Sequence, residues 1–302
     1  EYPFGDLIFE LDGVRIGFEI CEDAWNGDRP AQDHYRHNVD LILNPSASNF
    51  AFGKTEIREM LVREASRAFT CTYVYSNLLG NDSGRIIFDG EILIAQSGNL
   101  HARNRRFGFE DYQVLPAVVD IEAPRLTRKK SFNFEPVLPE ILVEIDGHLP
   151  EANPRDHGNI IAPDESKEEE FLYAETLALW DYMRKSYSRG FILSLSGGAD
   201  SSCCAVLVGK MFERAKEALG EERFNQKLKY AQLDHDKPLI AQLFTCVYQG
   251  TENSGDATLE SARALAAGLG ATFHNWNVEP LRQQYHGLAE QALGRPLTWE
   301  SD

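Results

Sequence analysis

The order of apolar and polar positions divides the chain into three stretches. Over residues 1–121, short apolar runs alternate with turn signals. Residues 7–11 and 14–20 read as strands around Asp12-Gly13, a pair that favours a two-residue hairpin turn because both positions tolerate positive φ. Residues 41–43 follow as a short buried strand. In 55–69, Ile57, Leu61, Ala65 and Ala68 recur at the three-to-four spacing of one helix face. Residues 72–75 read as the next strand, and 85–88, 91–95 and 100–102 as a meander turning at Asp89-Gly90 and Ser97-Gly98-Asn99. Residues 114–121 read as the strand that closes the segment. Strands with interspersed helices predict a layered α/β domain.

The second stretch, 122–166, is punctuated rather than periodic. Seven of the chain's 13 prolines lie between Pro116 and Pro163, and proline both fixes φ and removes a donor, so the stretch reads as a linker with local order. Its acidic end doubles as the negative first turn of a helix over 167–185. The third stretch alternates cleanly: strand 191–195, helix 200–219, strand 243–248, helix 257–269 stopped by Gly270, strand 272–278. That order predicts a doubly wound parallel sheet. Residues 221–242 are polar and carry no assignable pattern.

Length and charge narrow the picture. The 302 residues, at about 150 per domain, suggest two domains. Thirty basic against 47 acidic residues leave a net charge of -17, a field that repels phosphate backbones and argues against nucleic-acid binding. No apolar run approaches the roughly 20 residues of a membrane span. Five cysteines (21, 71, 203, 204 and 246), an odd number without paired spacing, argue against a disulfide framework or a zinc site and point to a reducing, cytoplasmic setting.

Two motifs carry chemistry. Ser194-Leu195-Ser196-Gly197-Gly198-Ala199-Asp200-Ser201-Ser202 lies between a strand and a helix. Its glycines let backbone approach an anion, the helix start presents unpaired N–H groups, and Ser196, Ser201 and Ser202 add hydroxyls. Asp200 would repel phosphate, and makes sense holding a Mg²⁺ that bridges phosphates. The loop has neither the Gly-Lys-Ser/Thr end of a P-loop nor dinucleotide-binding spacing. The second motif, Gly17-Phe18-Glu19-Ile20-Cys21-Glu22-Asp23, puts Cys21 at a strand end, where an elbow exposes a nucleophile and the next N–H faces an oxyanion. On its own such a cysteine also fits a core position.

The loop at Ser196, Gly197, Gly198, Asp200 and Ser201 resembles the pyrophosphatase loop (PP-loop) of the N-type ATP pyrophosphatases, Ser-Gly-Gly-x-Asp-Ser. That resemblance implies ATP held by Ser194 to Ser202, Mg²⁺ on Asp200, and a carbonyl oxygen activated by adenylation with release of pyrophosphate. Glu19, Cys21, Glu22 and Asp23 resemble the Glu-x-Cys-Glu-Asp stretch of the nitrilase superfamily's glutamine-hydrolysing branch. It implies Cys21 as the nucleophile, the Glu22 N–H as an oxyanion contact, and glutamine contacts from Ser48 and Lys54 in the following Asn44-to-Lys54 loop. A turn hydroxyl capping the next helix is the other reading of Ser48. In Tyr248 to Ser254, at the carboxyl edge of the later sheet, Gln249 and Ser254 are candidates for the ATP site.

A nitrilase-type glutaminase ahead of a PP-loop domain resembles the arrangement of the glutamine-dependent NAD⁺ synthetase family. The fold class this implies is α/β: a nitrilase-like αββα glutaminase part over 1–121, a linker over 122–166, and a doubly wound parallel-sheet PP-loop domain (adenine nucleotide alpha hydrolase-like) over 167–302. The family's Glu and Lys precede its Cys by many residues and have no counterpart among the 20 residues before Cys21. The N-terminal half of the first domain and the C-terminal part of the second are therefore expected outside this sequence. The implied substrates are glutamine, ATP and deamido-NAD⁺, and the implied assembly is a homo-oligomer. Another PP-loop amidotransferase acting on a different carboxylate, or an ATP-sensing scaffold without catalysis, would share these motifs.

Among the remaining features, His34 and His37 read as residues of a solvated helix, and Cys203-Cys204 as small core residues. Arg103, Arg105, Arg106, Arg125, Arg128, Lys129 and Lys130 form two basic clusters that read as solvated loops.

Overall fold

The computed structural model describes residues 4–82, 84–131, 134–149, 160–234, 236–298 and 300. The parts of the linker reading that fall on 132–133 and 150–159 lie outside the described residues. Two units form, Glu1–Ala178 and Leu179–Asp302.

In the first unit, β1 (Ile8–Leu11) and β2 (Val14–Phe18) form the expected hairpin, with Asp12 at φ 51° and Gly13 at φ 75° in the turn. A 3₁₀ helix (Cys21–Trp25), α1 (Ala31–Arg36), β3 (Leu41–Ser46), α2 (Lys54–Ala68) and β4 (Thr72–Asn77) follow. β5 (Leu79–Asp82) pairs with β6 (Ile86–Asp89), while β7 (Ile92–Gln96) pairs with β8 (Asn99–Arg103) and β4. With α3 (Glu122–Lys129) and β9 (Leu142–Ile145), the main sheet has seven strands in the order β8-β7-β4-β3-β2-β1-β9. β2, β3 and β4 are mutually parallel, so their carboxyl ends share one edge. The core beneath α2 gathers Ile42, Val62, Ala65, Tyr73 and Leu93.

Several expectations are corrected here. β6 leaves the meander for its own hairpin, so Asp89-Gly90 is a crossing between sheets rather than a hairpin turn. Residues 114–120 form no strand. The face α2 buries holds Arg58, Val62, Ala65 and Ser66, and Ile57 is about half exposed, because Arg58 turns inward to buried carboxylates. The 122–166 segment carries α3 and β9, and β9 extends the main sheet beside β1. Arg103, Arg106 and Arg128 are buried in ion pairs, Arg128 with Asp40 and Arg106 with Glu165 and Glu170, rather than solvated. His34 is buried and bonds the Phe18 carbonyl through Nε2 at 2.9 Å.

α4 (Lys167–Lys185) has the expected bounds, and the division between the units falls inside it. In the second unit, β10 (Phe191–Ser194), α5 (Ala199–Lys227), α6 (Leu239–Leu243), β11 (Phe244–Gly250), α7 (Asp256–Leu269), β12 (Thr272–Asn277) and α8 (Glu279–Leu293) follow. The sheet is all parallel, β10-β11-β12. Part of the stretch read as patternless is helical: α5 continues past a kink at Gly220 to Lys227. Cys203 and Cys204 are exposed on α5, not core. Among the described residues, no helix is long and apolar enough to cross a membrane.

Candidate functional site

The first candidate site lies at the carboxyl edge of β2, β3 and β4. Cys21 opens the 3₁₀ helix with φ 50°, a left-handed conformation that L side chains rarely adopt and that costs on the order of 1–2 kcal/mol. The turn is held locally: the Ile20 N–H donates to Asp23 Oδ2 at 2.9 Å, and the Asp23 N–H to the Ile20 carbonyl at 3.1 Å. Cys21 is half-buried and Glu22 exposed.

A buried carboxylate two residues earlier anchors this elbow. Glu19 has no exposed surface. It accepts from Arg29 through both oxygens, from the Ala31 N–H at 2.9 Å and from the Tyr73 hydroxyl at 2.7 Å. Tyr73 accepts in turn from Asn44 Nδ2 at 3.1 Å, and Asn44 Oδ1 accepts from Ser46 Oγ at 2.5 Å. The network therefore joins β2, β4 and β3 beneath the edge. Burial alone would raise the Glu19 pKa; the hydrogen bonds from Arg29 and Tyr73, the Arg29 charge and the Ala31 N–H outweigh it and hold the carboxyl below its ordinary value.

Ser48 follows β3 on the same edge and is buried. Its N–H donates to Asn77 Oδ1 at 2.8 Å, and its carbonyl accepts from Asn77 Nδ2 and Arg58 Nη2, both at 2.9 Å. Arg58 also donates through Nη1 to Asp89 at 2.5 Å and Glu91 at 2.9 Å. Lys54 Nζ donates to the Asn49 carbonyl at 2.7 Å and to its side-chain oxygen at 3.1 Å. Partial burial, then the Arg58 charge, lowers the Lys54 pKa, and the charges of Asp89 and Cys21 pull it back up. Cys21 and Ser48 follow the carboxyl ends of the neighbouring strands β2 and β3, and Lys54 opens α2. Sequence reasoning missed Arg58, Asn77, Asp89 and Glu91. Their one signal was polar side chains at positions the strand and helix periods turn inward.

The second candidate site is the turn from β10 into α5. Leu195 is buried and its N–H donates to the Val247 carbonyl at 2.8 Å, fixing the loop on β11. Gly197 has φ 80°, and a Cβ there would sit 2.3 Å from the Thr258 carbonyl of α7, so only glycine fits. Ser196 and Ser201 hold the loop closed through a 3.0 Å hydroxyl contact, and the Gly198 N–H donates to Ser196 Oγ at 3.3 Å. Ala199 and Asp200 open α5, with Asp200 exposed beside Ser201 and Ser202. One exposed carboxylate at the start of α5 fits Mg²⁺, which is usually held by one or two carboxylates together with substrate phosphates. Among the described residues no group of three or more His, Cys, Asp or Glu side chains could hold a metal by itself.

Ser194 pairs with Val247, so Gln249 on β11 lies level with Ser196, its side chain exposed. Beyond the carboxyl ends of β11 and β12 opens a cleft of about 410 Å³ lined by Tyr248, Thr251, Ser254, Asp256, Trp276 and neighbours. Ser254 lines this cleft and Gln249 does not. Trp276 went unread, although on β12 it lies opposite Gln249 at the same sheet edge.

Residues 172–296 match the NAD synthase family model. The chain is 29% identical over 316 residues to the glutamine-dependent NAD(+) synthetase of Oryza sativa subsp. indica, covering 99% of this chain and 43% of that protein. It is 31% identical to that of Drosophila melanogaster over 89% of this chain and 36% of the relative. A crystal structure of a glutamine-dependent NAD(+) synthetase from Cytophaga hutchinsonii superposes with TM-score 0.75 at 41% identity, over 100% of this chain and 45% of that one. A second such synthetase, from Acinetobacter baumannii, shares the fold at TM-score 0.66 and 20% identity. The chain is thus similar to the glutamine-dependent NAD(+) synthetases along nearly all of its own length, and spans less than half of theirs.

Proposed function

We propose that the chain supplies the glutamine-hydrolysing and ATP-binding edges of a glutamine-dependent NAD⁺ synthetase. In the first unit the Cys21 sulfur attacks the side-chain amide of glutamine, the oxyanion accepts from the Glu22 N–H, and ammonia leaves with formation of a glutamyl thioester, which water hydrolyses. Ser48 and Lys54 contact the glutamine. In the second unit the N–H groups and hydroxyls of Ser194 to Ser202 hold the phosphates of ATP, with Gln249 beside the nucleotide. The carboxylate of deamido-NAD⁺ is adenylated with release of pyrophosphate, and ammonia displaces AMP to give the carboxamide. Asp200 would hold Mg²⁺, which when bound neutralises charge on the phosphates. The enzyme works as a homo-oligomer in the cytoplasm.

The observation that carries this reading is the presence of both motifs, one in each unit, at carboxyl edges of parallel strands. That is where α/β sheets bind their ligands. The net charge of -17 gives no general attraction for ATP, so the backbone amides of the loop must do that work. The test measures NAD⁺ formation from deamido-NAD⁺ and ATP in the full-length protein, with glutamine or ammonia as nitrogen donor. Cys21→Ala is expected to lose the glutamine-driven rate and keep the ammonia-driven one, and Asp200→Ala to lose both. Glutamine-driven turnover in Cys21→Ala would remove Cys21 from the mechanism.

A further inference from the structure

We propose that Asn77 is a positioning residue for glutamine recognition: its side-chain amide clamps the backbone N–H and C=O of Ser48 and so sets the direction in which the Ser48 hydroxyl meets the substrate. The proposal rests on the glutaminase reading above and deepens it.

The argument begins with strand parity. Within a strand, the N–H and C=O of one residue point to the same side, and successive residues alternate. The Leu43 carbonyl accepts from the Glu19 N–H, so odd positions of β3 face β2. The Ser46 carbonyl accepts from the Leu78 N–H, so even positions face β4. Pro45, which has no N–H to give, therefore faces the side from which β2 has already departed, and costs the ladder nothing there. Backbone pairing of β3 with β4 ends at Ser46↔Asn77. Ser48, two residues on, is buried, and its N–H and C=O need partners that the backbone no longer supplies.

Asn77 supplies them. Its Oδ1 accepts from the Ser48 N–H at 2.8 Å and its Nδ2 donates to the Ser48 carbonyl at 2.9 Å, so the side chain copies a strand's donor–acceptor pair. The amide orientation is set by these partners, because Nδ2 also donates to Asp89 Oδ1 at 2.6 Å. Arg58 adds a second donor to the same carbonyl and is held in turn by Asp89 and Glu91. Asn77 is buried and Arg58, Asp89 and Glu91 have no exposed surface, so the clamp is rigid and screened from water. None of these four side chains needs to touch glutamine; they fix the loop that does.

The experiment uses the full-length protein and compares glutamine-driven with ammonia-driven NAD⁺ synthesis. Asn77→Ser is too short to reach Ser48. Asn77→Asp keeps the acceptor for the Ser48 N–H but turns a second acceptor on the Ser48 carbonyl and Asp89. Both are expected to raise the KM for glutamine by roughly tenfold or more, as loss of a buried hydrogen-bond pair predicts, with the ammonia-driven rate unchanged. In a Ser48→Ala background, Asn77→Ser should add little, since the hydroxyl it orients is gone. Unchanged KM, an effect that adds fully to that of Ser48→Ala, or a parallel fall in the ammonia-driven rate each overturns the positioning role. Cys21→Ala run alongside separates the two failures. If it retains the glutamine-driven rate, the glutaminase reading falls and this proposal with it; if it loses that rate while Asn77→Ser keeps a normal KM, only the positioning role falls.

Discussion

Replacing Glu19 with Gln should loosen the edge that carries Cys21, and the structure sets the size of the effect. The carboxylate is wholly buried and pairs with Arg29, whose side chain is only 12% exposed. It also accepts from the Ala31 N–H and the Tyr73 hydroxyl. An amide of the same shape keeps one acceptor oxygen, but removes the charge and turns an NH₂ toward existing donors. Breaking one partner of a buried ion pair typically costs about 3–5 kcal/mol, because the other charge stays buried. Hydrogen exchange read on peptides spanning 14–46 should therefore quicken by roughly two powers of ten or more, if those amides exchange through opening of this unit. Replacing both partners leaves no orphan charge, so Glu19→Gln with Arg29→Gln should lose less than Glu19→Gln alone. The pH dependence has a definite sign. The folded pKa of Glu19 is lowered, so its contribution is complete above the unfolded value of about 4.3 and is lost as pH falls through the lower folded value. The gap between wild type and Glu19→Gln should accordingly close in acid. A gap that widens below pH 4, or a single variant losing under about 1 kcal/mol, would refute the claim that this ion pair anchors the elbow.

Two further outcomes follow. Gly197→Ala places a Cβ 2.3 Å from the Thr258 carbonyl at a φ of 80°, so ATP-dependent pyrophosphate release should fall at least tenfold while the glutaminase half, assayed as ammonia release, is spared; near-normal pyrophosphate release would show that the loop tolerates a shift. Burial pushes the Cys71 thiol up to about 12 and Cys246 up to about 11, so a thiol reagent at pH 8 should modify the exposed Cys203 and Cys204 quickly and reach Cys71 and Cys246 only on unfolding, as peptide mapping after alkylation would show.

What the sequence conveyed depended on whether a residue's local pattern agreed with its tertiary surroundings. α7 was legible to its last residue, because the helical apolar period ends where Gly270 takes φ 70°. The bounds of α4 and the order of strands in the second unit were equally plain, since parallel βαβ units alternate two distinct periods. α2 was found, but its buried face was misjudged. Arg58 counts as polar in any periodic reading, and only tertiary contact with Asp89 and Glu91 makes it a core residue. The same holds for Arg103, Arg106 and Arg128, whose partners Glu59, Glu165 and Asp40 lie 44, 59 and 88 positions away in sequence. The Asp89-Gly90 pair carries a strong turn signal, yet the chain uses it to cross from a small hairpin to the main sheet. α8 went unread although Pro280 in its first turn and Gly294 at φ 69° mark its ends, because its sequence is polar on most faces. Cys21 and Ser196 to Ser202 stand out by their motifs, and the structure puts the first at a strained elbow and the second in the turn from β10 into α5. The buried polar network that holds Ser48 was not legible, because only tertiary contact pairs Asn77 and Arg58 with Ser48, Asp89 and Glu91, and polar residues at inward positions do not name their partners.

The central claim is that nitrogen released at Cys21 becomes the amide of NAD⁺. Mass spectrometry of NAD⁺ made by the full-length protein from glutamine labelled with ¹⁵N in its side-chain amide tests it most directly. The account predicts labelled NAD⁺ from wild type, and from Cys21→Ala only unlabelled NAD⁺ when unlabelled ammonia is supplied. Labelled NAD⁺ from Cys21→Ala, or label that stays in free glutamine while wild type makes NAD⁺, would contradict it.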